Sequence, residues 1–405
     1  MKAIERILVV VVVVVVIVSC SKDKDYEPKP LNLPLKAAGV ITADNTFGLD
    51  LYTRLAAAAA AGTNLMISPL SVSQALAMTW NGANSDTKTA MEKALSIAGY
   101  SRDELNELNK TLITALIAHD EKVVISIANS IWYRQEYTVL PDFITRNQTY
   151  YHADVRPADF AATGCKDLIN SWVSDKTNNK ITKIVDQINP ESFMFLINAI
   201  YFKGAWTHEF DPKKTSEAPF YMEDGNEVQV DMMHREVDLN MFANETFTSV
   251  ELPYGKGNWR MFLFLPETGK KVADVEKILS TGNWENWLAG YDTVREVQFS
   301  LPKFTFSYEE SLKDALSAMG MEVAFTDRAD FSGILPAGGL LITDVKHKTF
   351  IEVNEEGTEA AAVTSVEIGL TSIGNFISFN RPFLFAIAEK TSGAILFLGR
   401  MMIPE

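Results

Sequence analysis

Residues 355 to 372, Glu-Glu-Gly-Thr-Glu-Ala-Ala-Ala-Val-Thr-Ser-Val-Glu-Ile-Gly-Leu-Thr-Ser, read as a β-strand without an assigned neighbour. Successive side chains of a strand point to opposite faces. Thr358, Ala360, Ala362, Thr364, Val366 and Ile368 form one alternate set, small or β-branched and suited to burial. Glu359, Ala361, Val363, Ser365 and Glu367 form the other, which carries both glutamates and suits solvent. Gly357 at the head supplies a pivot with few steric limits. A stretch that fits the middle of a sheet, yet is tethered like a surface loop, suggests a molecule that stores folding energy. The same pattern also fits an ordinary antiparallel strand with one wet face.

The rest of the chain narrows the setting. Its 405 residues are 47% hydrophobic, ample for a large core. No Gly/Ser-rich linker or charge block divides it after residue 40, and no internal repeat occurs, so one large mixed domain is expected. Pro69 suits the first turn of a helix, and Leu70 to Trp80 is apolar enough for that helix to be buried. Ser101-Arg102-Asp103-Glu104 has the capping-box spacing, followed by Leu105, Leu108, Leu112 and Leu116 at helical intervals. Val124–Tyr133, Met194–Phe202 and Met261–Leu265 read as strands, the last covered on both faces. Tyr308 to Met319 reads as a helix stopped by Gly320. Helices first and strands later predict an α+β domain.

The N-terminus is a separate unit. Lys2 and Arg6 precede a 12-residue apolar run, Ile7 to Val18, short for a membrane span but right for a signal-peptide core. It ends Ile17-Val18-Ser19-Cys20, which resembles a bacterial lipobox in which the cysteine is lipidated; ordinary signal cleavage is the alternative. Residues 1–19 are then a signal peptide and 20–42 a lipid-anchored tether. Within it, 21 to 38 carries Pro28, Pro30 and Pro34 and predicts an extended segment rather than a packed one. Ser21-Lys22-Asp23-Lys24-Asp25 resembles acidic surface-export signals of Bacteroidetes-type lipoproteins, which implies a cell-envelope location, the outer membrane or its surface. Cys165 is the one other cysteine, expected as a buried inert thiol.

Several chemistries have no support in the sequence. A net charge of −15, from 52 acidic and 37 basic residues without a Lys/Arg cluster, disfavours a nucleic-acid partner. There is no G-x-S-x-G, P-loop or H-E-x-x-H pattern, and His208-Glu209 lacks a second histidine. Gly255-Lys256-Gly257 follows Pro253-Tyr254 in a turn context and lacks a third glycine. The five histidines are scattered, and no Cys-x-x-Cys pair exists. No metal site, cofactor or catalytic group is expected.

Four segments carry a family resemblance. Glu355-Glu356-Gly357-Thr358 followed by Ala360-Ala361-Ala362 resembles the reactive-centre-loop hinge of inhibitory serpins. Phe379-Asn380-Arg381-Pro382-Phe383 with Gly393 to Arg400 is similar to their C-terminal signature. Asn64 to Ser71 resembles the entry to their buried helix, and Asn198 to Trp206 their central-sheet strand ending in tryptophan. The resemblance runs from about Ala43 to Pro404. It implies a serpin domain over 43–404, with helices on a large central mixed sheet, further sheets, and an exposed reactive-centre loop at about 355–378.

The resemblance also implies a mechanism. A target protease cuts the loop and forms an acyl-enzyme, and the cut loop inserts into the central sheet with the protease attached. Thr358 to Thr371 is 14 residues, which reach roughly 45 Å as a strand. Family spacing from Glu355 and from Phe379 implies Thr371-Ser372 as the cut bond, with Leu370-Thr371 the alternative. A neutral β-branched Thr371 implies an elastase-like or subtilisin-like serine protease. Cleavage after Leu370 would suit chymotrypsin-like or papain-like cysteine proteases. Ser68, Ser71, Asn198 and His347 match the family's polar cluster where the sheet opens, and Trp206 matches the residue at the top of the sheet. Val363 departs from the small residues usual in the hinge. A non-inhibitory serpin acting as a surface binding protein is the competing expectation.

Overall fold

A computed structural model describes residues 28–358 and 375–404. The expectations for residues 1–19, Cys20, Ala360, Ala361, Ala362, Thr371 and Ser372 lie outside the described residues. The helices are α1 (Ala37–Ala58), α2 (Pro69–Trp80), α3 (Ser85–Ala94), α4 (Arg102–Ala118), α5 (Pro141–Tyr151), α6 (Cys165–Lys176), α7 (Val272–Glu276), α8 (Thr281–Leu288) and α9 (Lys313–Leu316). The first strands are β1 (Leu65–Ile67), β2 (Val123–Arg134), β3 (Asp154–Ala158), β4 (Met194–Ala205), β5 (Ser216–Tyr221), β6 (Glu227–Ala243), β7 (Phe247–Tyr254) and β8 (Trp259–Pro266). Then come β9 (Asp292–Pro302), β10 (Phe304–Ser311), β11 (Lys346–Val353), β12 (Gly357–Thr358), β13 (Phe376–Ser378), β14 (Phe383–Glu389) and β15 (Ile395–Met401).

Two sheets organise the domain. A six-stranded sheet runs β10-β11-β12-β4-β2-β3 and is mixed, because β2 and β3 are parallel while the other neighbours are antiparallel. The second runs β1-β15-β14-β8-β7-β6-β9-β13, with β5 added to β6. Helix α2 packs against β4 of the first sheet and β15 of the second. All its residues but Ala75 are buried, as its apolar sequence requires. Ser68 caps it by accepting the Ser71 N–H at 3.3 Å, with Pro69 in the first turn. β8 is buried along its whole length between β7 and β14. In α4, Ser101 accepts the Glu104 N–H at 3.2 Å, but the Glu104 carboxylate bonds Lys36 and does not return to the cap.

A smaller core lies under α6 on the other face of the six-stranded sheet, built from Trp132, Phe160, Ile169, Trp172, Ile197 and Ala199 among others. Cys165 is buried there, and desolvation raises its thiol pKa, which suits an inert side chain.

Two expectations are corrected. Tyr308 to Ser311 are not helical: they belong to β10, which pairs along all of β11, and the helix starts only at Lys313. A full ladder of strand bonds outweighs the helical spacing of a few apolar residues. Gly320 does end the turn, with φ +101°. The segment 21–38 is also not wholly an extended tether. Helix α1 begins at Ala37, whose apolar neighbours Val40 and Ile41 are buried, and Leu31 and Leu33 pack against the main core. The Lys29 N–H donates to Asn258 Oδ1 at 2.7 Å.

Candidate functional site

The short strand β12 stands at one end of the six-stranded sheet, between β11 and β4. Thr358 faces Gly204 of β4 and Val353 of β11, and Gly357 faces Ala205. Thr358 is buried, and its Oγ1 lies 2.7 Å from the Tyr254 hydroxyl. Gly357 has φ +154°, and a Cβ there would stand 2.1 Å from the Gly204 carbonyl oxygen. Only glycine lets the two backbones approach this closely.

Aromatic and charged groups hold this hinge. The Trp206 N–H donates to the Glu356 carbonyl at 2.8 Å, and its indole N–H donates to the Asn354 carbonyl at 2.9 Å. The indole stacks on Tyr254 with centroids 4.3 Å apart and planes 14° from parallel. The buried Glu355 carboxylate accepts from the Thr215 hydroxyl at 2.7 Å and lies 3.3 Å from the Lys303 ammonium. Its backbone carbonyl accepts the Phe210 N–H at 2.9 Å.

Beyond Thr358, β11 and β4 run side by side, and among the described residues only β12 bonds them together. Cavities mark this seam. One adjoins Thr358, Phe202 and Phe350. The next is bounded by Ser71, Asn198 and His347. The third reaches the far end at Phe193 and Met194.

Ser68, Ser71, Asn198 and His347 meet beneath the middle of the seam. The Ser71 hydroxyl bonds Asn198 Oδ1, and Asn198 Nδ2 donates to Asn129 Oδ1 at 2.6 Å. Asn129 in turn donates to the Tyr151 carbonyl at 2.9 Å. The Ser68 N–H donates to His347 Nε2 at 3.0 Å, so the neutral ring carries its proton on Nδ1. Trp206 stands apart from this cluster, at the hinge end.

Burial pushes the His347 pKa from 6.5 down to about 4. The neutral ring is the one the fold accepts. Its contribution to stability is complete above pH 6.5 and is lost as pH falls through about 4. Asp44, in α1, behaves in the opposite way. Burial raises its pKa from 3.8 to about 7, only partly offset by a hydrogen bond from Ser73. Its penalty is absent below pH 3.8 and grows as pH rises through about 7.

Tyr254, Thr215, Lys303 and Asn129 were not among the residues singled out by sequence. Pro253-Tyr254 reads only as a turn, and Thr215 and Lys303 lie far from Glu355 along the chain. Asn129 alone carried a signal, as a polar residue inside the apolar run of β2.

Comparison with known proteins gives one result. A family model described as "Serpin (serine protease inhibitor)" matches residues 42–404. Intracellular coagulation inhibitor 2 of Tachypleus tridentatus is 35% identical over 375 residues, 88% of this chain and 89% of that protein. The native-state structure of the thermophilic serpin Tengpin is similar with a TM-score of 0.82 and 34% identity, covering 93% of this chain and 96% of that one. Human thyroxine-binding globulin complexed with its hormone is equally similar in fold, at TM-score 0.82 and 29% identity, over 91% of this chain and 99% of that one.

Proposed function

The chain belongs to the serpin family, and from that premise we propose that it inhibits a serine protease as a suicide substrate. Protease inhibition is the family's described activity. The reading has the protease attack Thr371-Ser372, form an acyl-enzyme on Thr371, and be carried off as the freed loop fills the seam between β4 and β11. The observation that carries it is β12: the hinge already occupies the first place in a sheet whose next places are paired by none of the described residues.

The register supports it further. Carried forward from Thr358, it would set Ala360 opposite Phe202 and Ile351, Ala362 opposite Ile200 and Thr349, and Thr364 opposite Asn198 and His347. Directly opposed residues share a face. All six of these facing positions on β4 and β11 are largely buried, so an inserting strand needs small, uncharged side chains there. Thr358, Ala360, Ala362 and Thr364 supply them. The other face is not uniformly wet, which corrects the expectation from alternation. Ala199, opposite Val363, is buried under α6, and Phe350 packs against the same core. An apolar Val363 is therefore suited to that position.

Thr371 favours elastase-like or subtilisin-like targets. The competing reading is a binding protein without inhibitory action, as thyroxine-binding globulin binds its hormone. Charge or proline on the inserting face would favour that reading, and the sequence has neither. The test is incubation with a panel of elastase-like, subtilisin-like, chymotrypsin-like and papain-like proteases. Inhibition gives a complex that survives boiling in detergent, with cleavage after Thr371. Clean cleavage without a complex, and no rise in thermal stability after it, would refute the proposal.

The proposal extends to location. Cys20 is read as a lipid anchor that holds the domain at the cell envelope, in or on an outer membrane. Cys20→Ala should release the protein or leave it unprocessed. Normal processing with full membrane retention of that variant would reject the anchor.

A further inference from the structure

We propose that the outer face of β13, β9 and β6 is a docking surface for the body of the target protease, and that it selects a protease with a cationic, apolar rim beside its cleft. The inference rests on the inhibitory reading of Thr371-Ser372.

The feature that draws attention is Phe376. It is 62% exposed at the start of β13. Its neighbour Ile377 turns inward, where Phe299 lies behind it. A single exposed phenylalanine is ordinary on a protein surface. Its position along the chain is what makes this one different. Phe376 is five links from Thr371, so at about 3.5 Å each it stands within roughly 18 Å of the bond that enters the protease cleft. A protease domain of ~200 residues has a radius of gyration of about 16 Å and a physical radius larger than that. A protease holding Thr371-Ser372 therefore has its surface within reach of Phe376.

The charges beside it have one dominant sign. Phe376 faces Gln298 of β9, and Gln298 faces Glu236 of β6 and donates a side-chain hydrogen bond to it. Next along the sheet, Glu296 sits in a bulge with φ +53°, its N–H donated to Asp238 Oδ1 at 2.9 Å. Glu236, Asp238 and Glu296 are all exposed. Arg295 in the same bulge is exposed as well, so three carboxylates and one guanidinium leave a net negative rim around an apolar centre. An exposed aromatic ringed by like charges is the anatomy of an interface anchor with a steering rim. Its complement is an apolar dent flanked by lysine or arginine. On the protease this would be the side of the cleft that holds the residues following the cut bond.

The experiment uses the full-length protein and a panel of serine proteases whose nucleophilic serine is replaced by alanine. These cannot form an acyl-enzyme, so their binding reads docking apart from trapping. The panel includes proteases with basic and with acidic cleft rims. The parent should bind the basic-rimmed members more tightly. Phe376→Ala should weaken that binding about tenfold or more, the scale of losing one buried aromatic anchor. The double change Glu236→Lys, Glu296→Lys should slow association several-fold to about tenfold at low ionic strength, with little effect left at high salt. Both positions are exposed, and melting curves equal to the parent's confirm that the variants are folded. Equal binding by parent and Phe376→Ala, or no rim preference and no salt-dependent loss in the charge variant, overturns the proposal. So does self-association of the parent that Phe376→Ala abolishes, which would assign the patch to a second copy. A parent that traps no active protease defeats the reading of Thr371-Ser372 and is scored separately.

Discussion

Replacing Thr358 with arginine should turn the inhibitor into a substrate. Thr358 is 5% exposed, its hydroxyl bonds Tyr254 at 2.7 Å, and Gly204 lies directly opposite. Arginine there would leave the buried Tyr254 hydroxyl unpaired, a cost of about 1–3 kcal/mol. It would also bring an unpartnered guanidinium into the sheet, at several kcal/mol more. The uncut variant would therefore hold its hinge out of the sheet, and refilling that first place during insertion, at a combined penalty of only ~3 kcal/mol, slows the step roughly 100-fold. Deacylation is untouched, because the loop around Thr371-Ser372 is unchanged. The number of inhibitor molecules turned over for each protease trapped should then rise on the order of 100-fold. The matched control is Glu359→Arg, whose place in the carried-forward register is opposite the exposed Lys203. The assay mixes each variant with a protease the parent traps and measures the stoichiometry of inhibition, with the cut site identified by mass. If Thr358→Arg traps as well as the parent, or Glu359→Arg is the more damaged, the insertion register is wrong.

Other outcomes follow from the same geometry. Thr371→Arg should move preference toward trypsin-like proteases, and inhibition profiles that stay fixed would put the cut bond elsewhere. Gly357→Ala brings a Cβ to 2.1 Å from the Gly204 carbonyl, so the hinge should be forced out of the sheet and trapping should fall in favour of turnover; inhibition at the parent's stoichiometry would contradict the close approach. Between about pH 4 and 6.5 the His347 and Asp44 contributions run in opposite directions, so His347→Gln should become less stable relative to the parent as pH rises, while Asp44→Asn gains on the parent. Denaturant midpoints across that range read both slopes, up to about 1.4 kcal/mol per pH unit each, and parallel curves for all three proteins would refute the assignment.

Much of the fold was legible because local rules agreed with tertiary ones. Ser68 and Pro69 start α2 in the sequence and in the structure, and the apolar run after them is buried as such a run must be. The leucines of α4 behave likewise. Tyr308 to Ser311 were misread because their helical spacing is a local signal, whereas their pairing with Lys346–Thr349 comes from distant chain. The site divides along the same line. Thr358 and Gly357 were visible from alternation and from the needs of a pivot. Tyr254, Thr215 and Lys303 were not, since each acts on the hinge only through the folded geometry that brings it there. The covering of the outer sheet face by α6 was invisible for the same reason, and with it the suitability of Val363.

β13 has a consequence for time rather than for structure. It is anchored at the hinge end: Ile377 pairs with Phe299, Phe299 lies 5.9 Å from Phe210, and Phe210 bonds the Glu355 carbonyl. An uncut loop drawn into the seam as far as Ile368 would descend ~33 Å from Thr358. The eight links from Ile368 back to Phe376 reach at most about 28 Å. The intact chain therefore cannot fill its own sheet while β13 stays in place, though a cut chain can. On the inhibitory reading, three residue pairs, Phe376–Gln298, Ile377–Phe299 and Ser378–Ser300, hold the uncut molecule in the form that can still trap a protease. On that reading the uncut protein has a shelf life in addition to its stability against unfolding. The rate at which β13 peels away would then set how long a molecule waits, ready, for its protease.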